Sequence, residues 1–346
     1  MRRNSRLAMV AFSAAACLLF AGPAQANPPS TAGYHVVKII HIGGPGRWDY
    51  CVVDSATRRL YVSHGTHVVV LNVDTGKIVG DIPNTLGVHG IALAPDLGRG
   101  FISDGRADTV TIFDLKTLKP LGTVKSGGRN PDAIYYEPKT KRVFAFNGRS
   151  GTAVAIDGAK GTVAGMIPLG GKPEFAVGDG QGHVFDNIED KGELVEIDAS
   201  RLKVTHRWSL SPCEEPSGLA IDTRTRRLFS VCGNKMMTVV NAETGKIVAR
   251  PAIGEDPDAA AFDPGTQLAF SSNGESGTLT VIHEDSADKY TVLGNLPTRK
   301  YARTMAVDLK THNIFLPIAE FEPVKPKGDE EPPMKPDSFG VILVAK

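Results

Sequence analysis

The stretch "RRLYVSHGTHVVVLNVDTGKIVG", residues 58–80, contains the pattern that decides the fold. Two apolar runs, residues 60–62 and 68–71, flank a short polar loop, and the turn Asp-Thr-Gly-Lys follows the second run. Val, Ile and Tyr favour β-strands, whereas Asp and Gly favour a tight turn between strands. The stretch therefore predicts two antiparallel strands and the hairpin that leads into a third.

The same pattern occurs seven times along the chain. Each repeat has an apolar strand before it, such as YCVVD or GIALA, and ends in a further strand after the tight turn. Four short strands repeated about every 40 residues are typical of a β-propeller. We therefore predict an all-β fold, a seven-bladed β-propeller of four-stranded antiparallel blades. Aligned on the strand that begins RLYVS, the repeats are 40 to 46 residues apart and start at Arg59, Arg99, Arg142, Gly182, Arg227, Gln267 and Asn313.

The two ends of the repeat array complement each other. The seventh repeat lacks a fourth strand, whereas YHVVKIIHI, residues 34–42, is a strand that belongs to no repeat. We predict that this N-terminal strand completes the last blade, because a closed ring leaves few exposed sheet edges. One propeller domain then extends over residues 27–346. A Pro-rich insertion, residues 322–337, interrupts the last blade and is interpreted as a lid, a docking arm or a solvated loop.

The first 26 residues have the features of a secretory signal peptide. Three arginines precede an apolar run, residues 7–20, and an Ala-Gln-Ala site ends at residue 26. We expect cleavage before Asn27 and a periplasmic or secreted protein, with lipid attachment at Cys17 as the alternative. The run is too short to span a membrane.

The charge of the remaining chain gives no nucleic-acid signal. Without the three N-terminal arginines, 36 basic residues face 38 acidic ones, a formal charge of −2. Binding of nucleic acid or anionic lipid needs clustered positive charge. We therefore expect no nucleic-acid partner; the expected partner is a small polar ligand or another protein. We also expect a monomer without a membrane span.

Units of the form "RRLYVSHG…VVVLNVDTGKIVG" resemble the YVTN repeat of YncE-like β-propeller proteins, which are commonly exported in bacteria. The resemblance covers the chain from about Tyr34 to its end and implies the propeller fold. It implies no single function, because propellers of this kind serve as binding proteins, as partners of redox enzymes and as enzymes.

Function is expected where the repeats differ, at the residue that precedes the first strand of each blade. All seven of these residues are polar, and the first strand of a propeller blade lines the central channel. We predict that their side chains form a ring at one mouth of the channel, with a ring that holds only water as the alternative. The ring consists of Asp49, His89, Asp132, Glu174, Ser217, Asp258 and Arg303.

Four residues of this ring are the metal candidates. Carboxylates with an imidazole suit Ca²⁺ or another divalent cation. Because a seven-bladed mouth is wide, we expect neighbours to share an ion, either His89 with Asp49 or Asp132 with Glu174. His64 and His67, three residues apart in a loop, are a weaker metal candidate.

The loops between the second and third strands add further ligand candidates and two cysteines. Arg106 and Arg149 are placed to bind a carboxylate or a phosphate. Cys213 enters the fifth blade and Cys232 ends its second strand, so we expect a disulfide between them, worth about 2–4 kcal/mol. Trp48 is interpreted as a filler between the first and last blades or as a stacking wall for a ligand.

Three functions are compatible with this face. The first is binding of a small polar ligand, a cation or a protein partner without catalysis. The second is a metal-assisted lyase or lactone hydrolase, in which a divalent cation polarises a carbonyl and His89 or Glu174 acts as general base. The third, an accessory subunit of a periplasmic redox system, rests on analogy of fold.

Overall fold

The computed structural model describes residues 31–324 and 332–346, which form seven four-stranded antiparallel sheets arranged as a ring. The seven-bladed β-propeller is therefore confirmed. Blade 7 is formed by β26 (Ala306–Asp308), β27 (Asn313–Ile318), β28 (Gly340–Ala345) and the N-terminal β1 (His35–His41).

The other six blades each take four consecutive strands. Blade 1 consists of β2 (Cys51–Asp54), β3 (Arg59–His64), β4 (His67–Asn72) and β5 (Ile78–Ile82). Blade 2 consists of β6 (Val88–Ala94), β7 (Arg99–Asp104), β8 (Thr109–Asp114) and β9 (Pro120–Lys125). Blade 3 consists of β10 (Pro131–Glu137), β11 (Arg142–Asn147), β12 (Thr152–Asp157) and β13 (Thr162–Pro168). Blade 4 consists of β14 (Pro173–Gly178), β15 (His183–Ile188), β16 (Glu193–Asp198) and β17 (Lys203–Ser209). Blade 5 consists of β18 (Pro216–Asp222), β19 (Arg227–Cys232), β20 (Met236–Asn241) and β21 (Ile247–Ala249). Blade 6 consists of β22 (Pro257–Asp263), β23 (Leu268–Asn273), β24 (Thr278–Ser286) and β25 (Lys289–Pro297). Two single-turn 3₁₀ helices, Pro95–Leu97 and Glu189–Lys191, lie in connections.

The N-terminal strand closes the ring, as the sequence predicts. β1 pairs antiparallel with β28, from His35 opposite Ala345 to His41 opposite Gly340. Tyr34, just before β1, is buried; its hydroxyl donates a hydrogen bond of 3.0 Å to the carbonyl of His312. These contacts join the two ends of the described chain within one blade.

The predicted repeat alignment is wrong by one residue in two blades. The second strands of blades 4 and 6 begin at His183 and Leu268, not at Gly182 and Gln267. Gly182 and Gln267 instead have φ values of 100° and 56°, in the left-handed turn position that Arg58 occupies in blade 1 at 60°. The sequence alignment placed these two residues at the start of the strand, whereas the strand begins at the residue that follows this turn position.

With the corrected register, the third residue of the second strand is a buried aromatic residue in each of the seven blades. Each of these side chains is fully buried, in the layers between adjacent blades, and burying one stabilises the fold by about 2–3 kcal/mol. The seven are Tyr61, Phe101, Phe144, Phe185, Phe229, Phe270 and Phe315.

The repeated arginine of the motif links four of the seven blades to the blade that follows. Arg59 in blade 1 donates a hydrogen bond of 2.5 Å to the carbonyl of Leu115, in the turn between the third and fourth strands of blade 2. Arg99, Arg142 and Arg227 make the equivalent bonds to the blade that follows. The arginine, the aromatic residue and the turn therefore have structural roles.

The predicted insertion does lie between the second and third strands of blade 7, but its ends are packed. Phe321 and Met334 form an antiparallel bridge and contact the apolar cluster shared by blades 7 and 1. Residues 325–331 lie outside the described part of the chain, as do the predicted signal peptide and Cys17.

Candidate functional site

The structure places all seven predicted channel residues at one equivalent position. In blades 3 to 6 a proline pairs with the last residue of the second strand, and the channel residue follows that proline. The register of blades 1, 2 and 7 gives the same position. This position holds Asp49, His89, Asp132, Glu174, Ser217, Asp258 and Arg303.

Hydrogen bonds between blades fix the backbone at this position. Asn187 of blade 4 donates to the carbonyl of Ser217 at 2.7 Å, and the Ser217 hydroxyl donates to the carbonyl of Pro257 at 2.7 Å. Thr304 of blade 7 donates to the carbonyl of Asp49 at 2.6 Å. The bonds from Asn187 and Thr304 reach the main-chain carbonyl of a channel residue and do not depend on its side chain, whereas the Ser217 hydroxyl is itself a donor.

Three of the four metal candidates come together. Nδ1 of His89 lies 2.5 Å from Oδ2 of Asp49 and 3.6 Å from Oδ1 of Asp132, and one ligand atom from each residue lies within 4.8 Å of the others. Burial lowers the pKa of His89, but the hydrogen bond that its imidazole donates to Asp49 and the charges of the neighbouring carboxylates have the larger, opposite effect and raise the pKa to about 9. Burial raises the pKa of Asp132 to about 6. The group is therefore a compact acid–imidazole–acid cluster.

The fourth candidate, Glu174, has other partners. Its carboxylate lies 3.2 Å from Nζ of Lys172, which also pairs with Glu189. Burial and the charge of Asp132 raise the pKa of Glu174 well above its usual value. The structure therefore places Glu174 outside the three-residue cluster.

Two further channel residues, from the adjacent blades 6 and 7, form a pair. Nε of Arg303 lies 2.9 Å from Oδ2 of Asp258. Burial raises the pKa of Asp258 to about 7, although the charge of Arg303 acts in the other direction.

Tyr50 and Phe175, which sequence reasoning missed, obstruct the channel. Tyr50 follows Asp49 in blade 1, Phe175 follows Glu174 in blade 4, and their ring centroids lie 5.1 Å apart. Burial and the charges of four channel carboxylates raise the pKa of Tyr50 well above its usual value. Composition could have indicated this pair, because the equivalent positions of the other blades hold the small residues Gly90, Ala133, Gly218, Ala259 and Thr304.

A cavity of about 740 Å³, hereafter the mouth cavity, opens on the predicted face. Five of the nine predicted ligand residues line it, together with Trp48, the predicted filler or stacking wall, and with four residues that sequence reasoning did not assign to the site: Arg47, Asp108, Arg129 and Asn130. The five are Asp49, His89, Arg303, Arg106 and Arg149; Asp132, Glu174, Ser217 and Asp258 do not line it.

Gly105 lets the loop that carries Arg106 approach the cluster closely. A Cβ atom at this position would lie 2.5 Å from Nε2 of His89, closer than real Cβ contacts. The backbone NH of Gly105 donates to the carbonyl of Gly87 at 2.9 Å. Glycine is therefore required here to seat the loop against the imidazole ring.

A second cavity, of about 570 Å³, lies on the other side of the Tyr50–Phe175 pair. Its lining includes Val52, Ile134 and Tyr135, so it is mainly apolar. The channel is thus divided into a charged end and an apolar end.

The remaining sequence candidates have mainly structural surroundings. His64 is buried and stacks on Phe339 at 4.2 Å. Trp48 is 8% exposed and packs against Phe339 of blade 7 at 5.4 Å, which favours the filler interpretation. Cys213 and Cys232 form the predicted disulfide, at the end of blade 5 that faces the mouth cavity.

Comparisons with known proteins show the fold and no family. No family model and no curated protein matches the chain. Hydrazine synthase from Kuenenia stuttgartiensis is 13% identical, with a TM-score of 0.70 over 80% of this chain and 94% of that one. U3-55K is 10% identical, with a TM-score of 0.74 over 91% and 99% of the two chains. The RRP9 WD40 repeats are 10% identical, with a TM-score of 0.75 over 92% and 99%.

Within residues 31–324 and 332–346, no helix has the length and apolar character needed to cross a membrane. The chain is similar in fold to these seven-bladed proteins, and the predicted relationship to YncE-like proteins stays a prediction.

Proposed function

We propose that this chain is an exported β-propeller that binds a small polar ligand in the mouth cavity without catalysing a reaction. The observation that carries the proposal is a single cavity of about 740 Å³, lined by residues that differ between the repeats. Its volume lies within the range of small-molecule sites. Tyr50 and Phe175 separate it from the apolar end of the channel, so the cavity is closed at its inner end and does not continue through the protein.

A thermal-shift screen of small metabolites, followed by calorimetry, tests this proposal. A ligand at 100 times its Kd should stabilise the protein by about 2.7 kcal/mol. We expect His89→Ala to abolish this stabilisation. His312→Ala is the matched control, because His312 also pairs with an aspartate, Asp263, at 2.7 Å but lies at the opposite end of the blades. Equal loss of binding in both variants would argue against the mouth cavity as the site.

Export is proposed from the N-terminal sequence pattern alone. Expression of the full chain in a Gram-negative host, followed by cell fractionation and intact-mass measurement, tests it. We expect a periplasmic protein that begins at Asn27. A cytoplasmic protein that retains its first 26 residues would contradict the proposal.

A metal-assisted lyase or lactone hydrolase is a second candidate, favoured by the convergence of Asp49, His89 and Asp132 within 4.8 Å. A divalent cation held by these groups would polarise a substrate carbonyl. Elemental analysis before and after chelation tests this candidate; absence of metal with unchanged stability would count against it. The likeness to hydrazine synthase is one of fold and supports no redox role.

A further inference from the structure

Among the described residues, three arginines of the mouth cavity have no side-chain partner. Arg106, Arg129 and Arg149 all line the cavity and are exposed, and none makes a side-chain hydrogen bond or ion pair within the described residues. Arg149 and Arg129 are neighbours, because the backbone NH of Arg149 donates to the carbonyl of Arg129 at 3.2 Å. Blades 2 and 3 therefore place three uncompensated positive charges on one concave surface.

Cations on the other side of the same face are paired with acids. The corresponding loops of blades 4 to 6 and the connections beside them hold lysines that pair with acids, whereas the three arginines of blades 2 and 3 have no such pairs among the described residues. The pairs are Lys191 with Asp190 at 3.4 Å, Lys235 with Glu255, and Lys300 with Glu275 at 3.1 Å. Concave surfaces lined by one sign of charge focus the field and concentrate ligands of the opposite sign.

The base of the cavity has the opposite character. Asp49 presents a carboxylate whose Oδ2 contacts His89 at 2.5 Å, whereas Asp108, the other acid of the lining, lies beside the arginines, where its Oδ1 accepts from the backbone NH of Asn130. A carboxylate accepts several hydrogen bonds, so Asp49 has capacity for a ligand donor beside its imidazole partner. One end of the cavity therefore recognises an oxyanion and the other recognises hydroxyl or amino groups.

We infer that the ligand of the mouth cavity is a small oxyanion, a carboxylate or a phosphate, that also carries hydroxyl groups. Its anionic group binds between Arg106, Arg129 and Arg149, whose guanidinium groups form paired hydrogen bonds with carboxylates and phosphates. Its hydroxyl groups donate to Asp49. This inference rests on the proposed ligand-binding function and assigns its chemical class.

Four probes on one sugar scaffold test the inference: glucuronate, glucose 6-phosphate, glucose and glucosamine, each at millimolar concentration in thermal shift and calorimetry. We expect an anionic probe to bind and the neutral and cationic probes not to bind. The two anions distinguish a carboxylate ligand from a phosphate ligand. Affinity should fall as salt is added, because salt screens charge pairs at exposed sites.

Arginine variants assign the binding to the proposed groups. We expect Kd to rise about tenfold for each of Arg106→Gln and Arg149→Gln, because each removes a hydrogen bond to a charged group. Arg201→Gln is the control, since Arg201 is exposed in blade 4 and pairs with Asp198 outside the cavity. An unchanged Kd in the double variant would overturn the inference.

The outcomes separate the two proposals. Binding of glucose or glucosamine as tight as that of the anions would overturn the assignment of charge and leave ligand binding in place. Failure of all four probes would overturn the oxyanion assignment for this scaffold. Failure of the wider metabolite screen as well would overturn the proposed function itself.

Discussion

Asp186 is a buried carboxyl group that has no hydrogen-bond partner in the described part of the chain. It is fully buried in the second strand of blade 4, and neither carboxyl oxygen has a hydrogen-bond partner among the described residues. Burial, followed by the charge of Glu174, raises the pKa of Asp186 well above its usual value. The equivalent positions of the other blades hold Val62, Ile102, Ala145, Ser230, Ser271 and Leu316. We therefore expect Asp186→Val to stabilise the protein at neutral pH.

The magnitude follows from the cost of keeping this group protonated. A carboxyl whose pKa is raised on folding reduces stability once the pH exceeds its unfolded-state pKa of about 3.9, and the loss grows until the folded-state pKa is reached. At about 1.4 kcal/mol per pH unit, the upper limit at pH 7 is about 4 kcal/mol. An unsatisfied buried polar group costs about 1–3 kcal/mol, so we expect a gain of that size.

Urea unfolding of the wild type, Asp186→Val and Asp186→Asn at pH 4 and pH 7 measures the effect. The stability advantage of Asp186→Val should be larger at pH 7 than at pH 4. Asp186→Asn cannot ionise, so it should show the same dependence on pH with a smaller gain. An advantage that does not change with pH, or a loss of stability in Asp186→Val at pH 7, would refute the reasoning.

Two further substitutions test the architecture of the mouth. Gly105→Ala should destabilise the protein by about 1–3 kcal/mol and weaken ligand binding, because its Cβ would meet the ring of His89 at 2.5 Å. Gly148→Ala, in the equivalent loop of blade 3, is the control, since its nearest contact would be 3.6 Å, and equal effects would contradict the proposed clash. Replacing Cys213 and Cys232 together with Ser should lower the free energy of unfolding by about 2–4 kcal/mol, measured in urea; unchanged stability would show that the disulfide contributes nothing.

The fold was predictable because it depends on local patterns that recur. Strand periodicity, turn residues and the missing fourth strand of blade 7 can all be recognised in the sequence. The closure of the ring by β1 follows from them. The strand starts of blades 4 and 6 were not predictable in the same way. Gly182 and Gln267 occupy a left-handed turn position that holds several residue types across the blades, so only the backbone distinguishes them from strand residues. The equivalent residues are Arg58, Gly98, Lys141, Arg226 and His312.

The candidate site was predictable in position and less so in its contacts. The repeat places the seven channel residues, but it does not show that Glu174 pairs with Lys172 rather than joining the cluster of Asp49, His89 and Asp132. Contacts of this kind depend on rotamers and on loop lengths that no repeat encodes. The same holds for Tyr50 and Phe175, which are far apart in sequence and meet only because blades 1 and 4 face each other across the channel.

The fold separates the residues that hold the ring together from those that line its mouth. Arg59 and its equivalents bond to carbonyls at one end of the blades, and Asn187, Ser217 and Thr304 bond to carbonyls at the other. Both sets fix the backbone through main-chain atoms. Where the channel residue only accepts such a bond at its carbonyl, as Asp49 does from Thr304, its side chain can change without loss of the anchor; Ser217, whose hydroxyl is a donor, is the exception. The differences in charge around the mouth are for this reason better explained by what binds there than by what the fold requires.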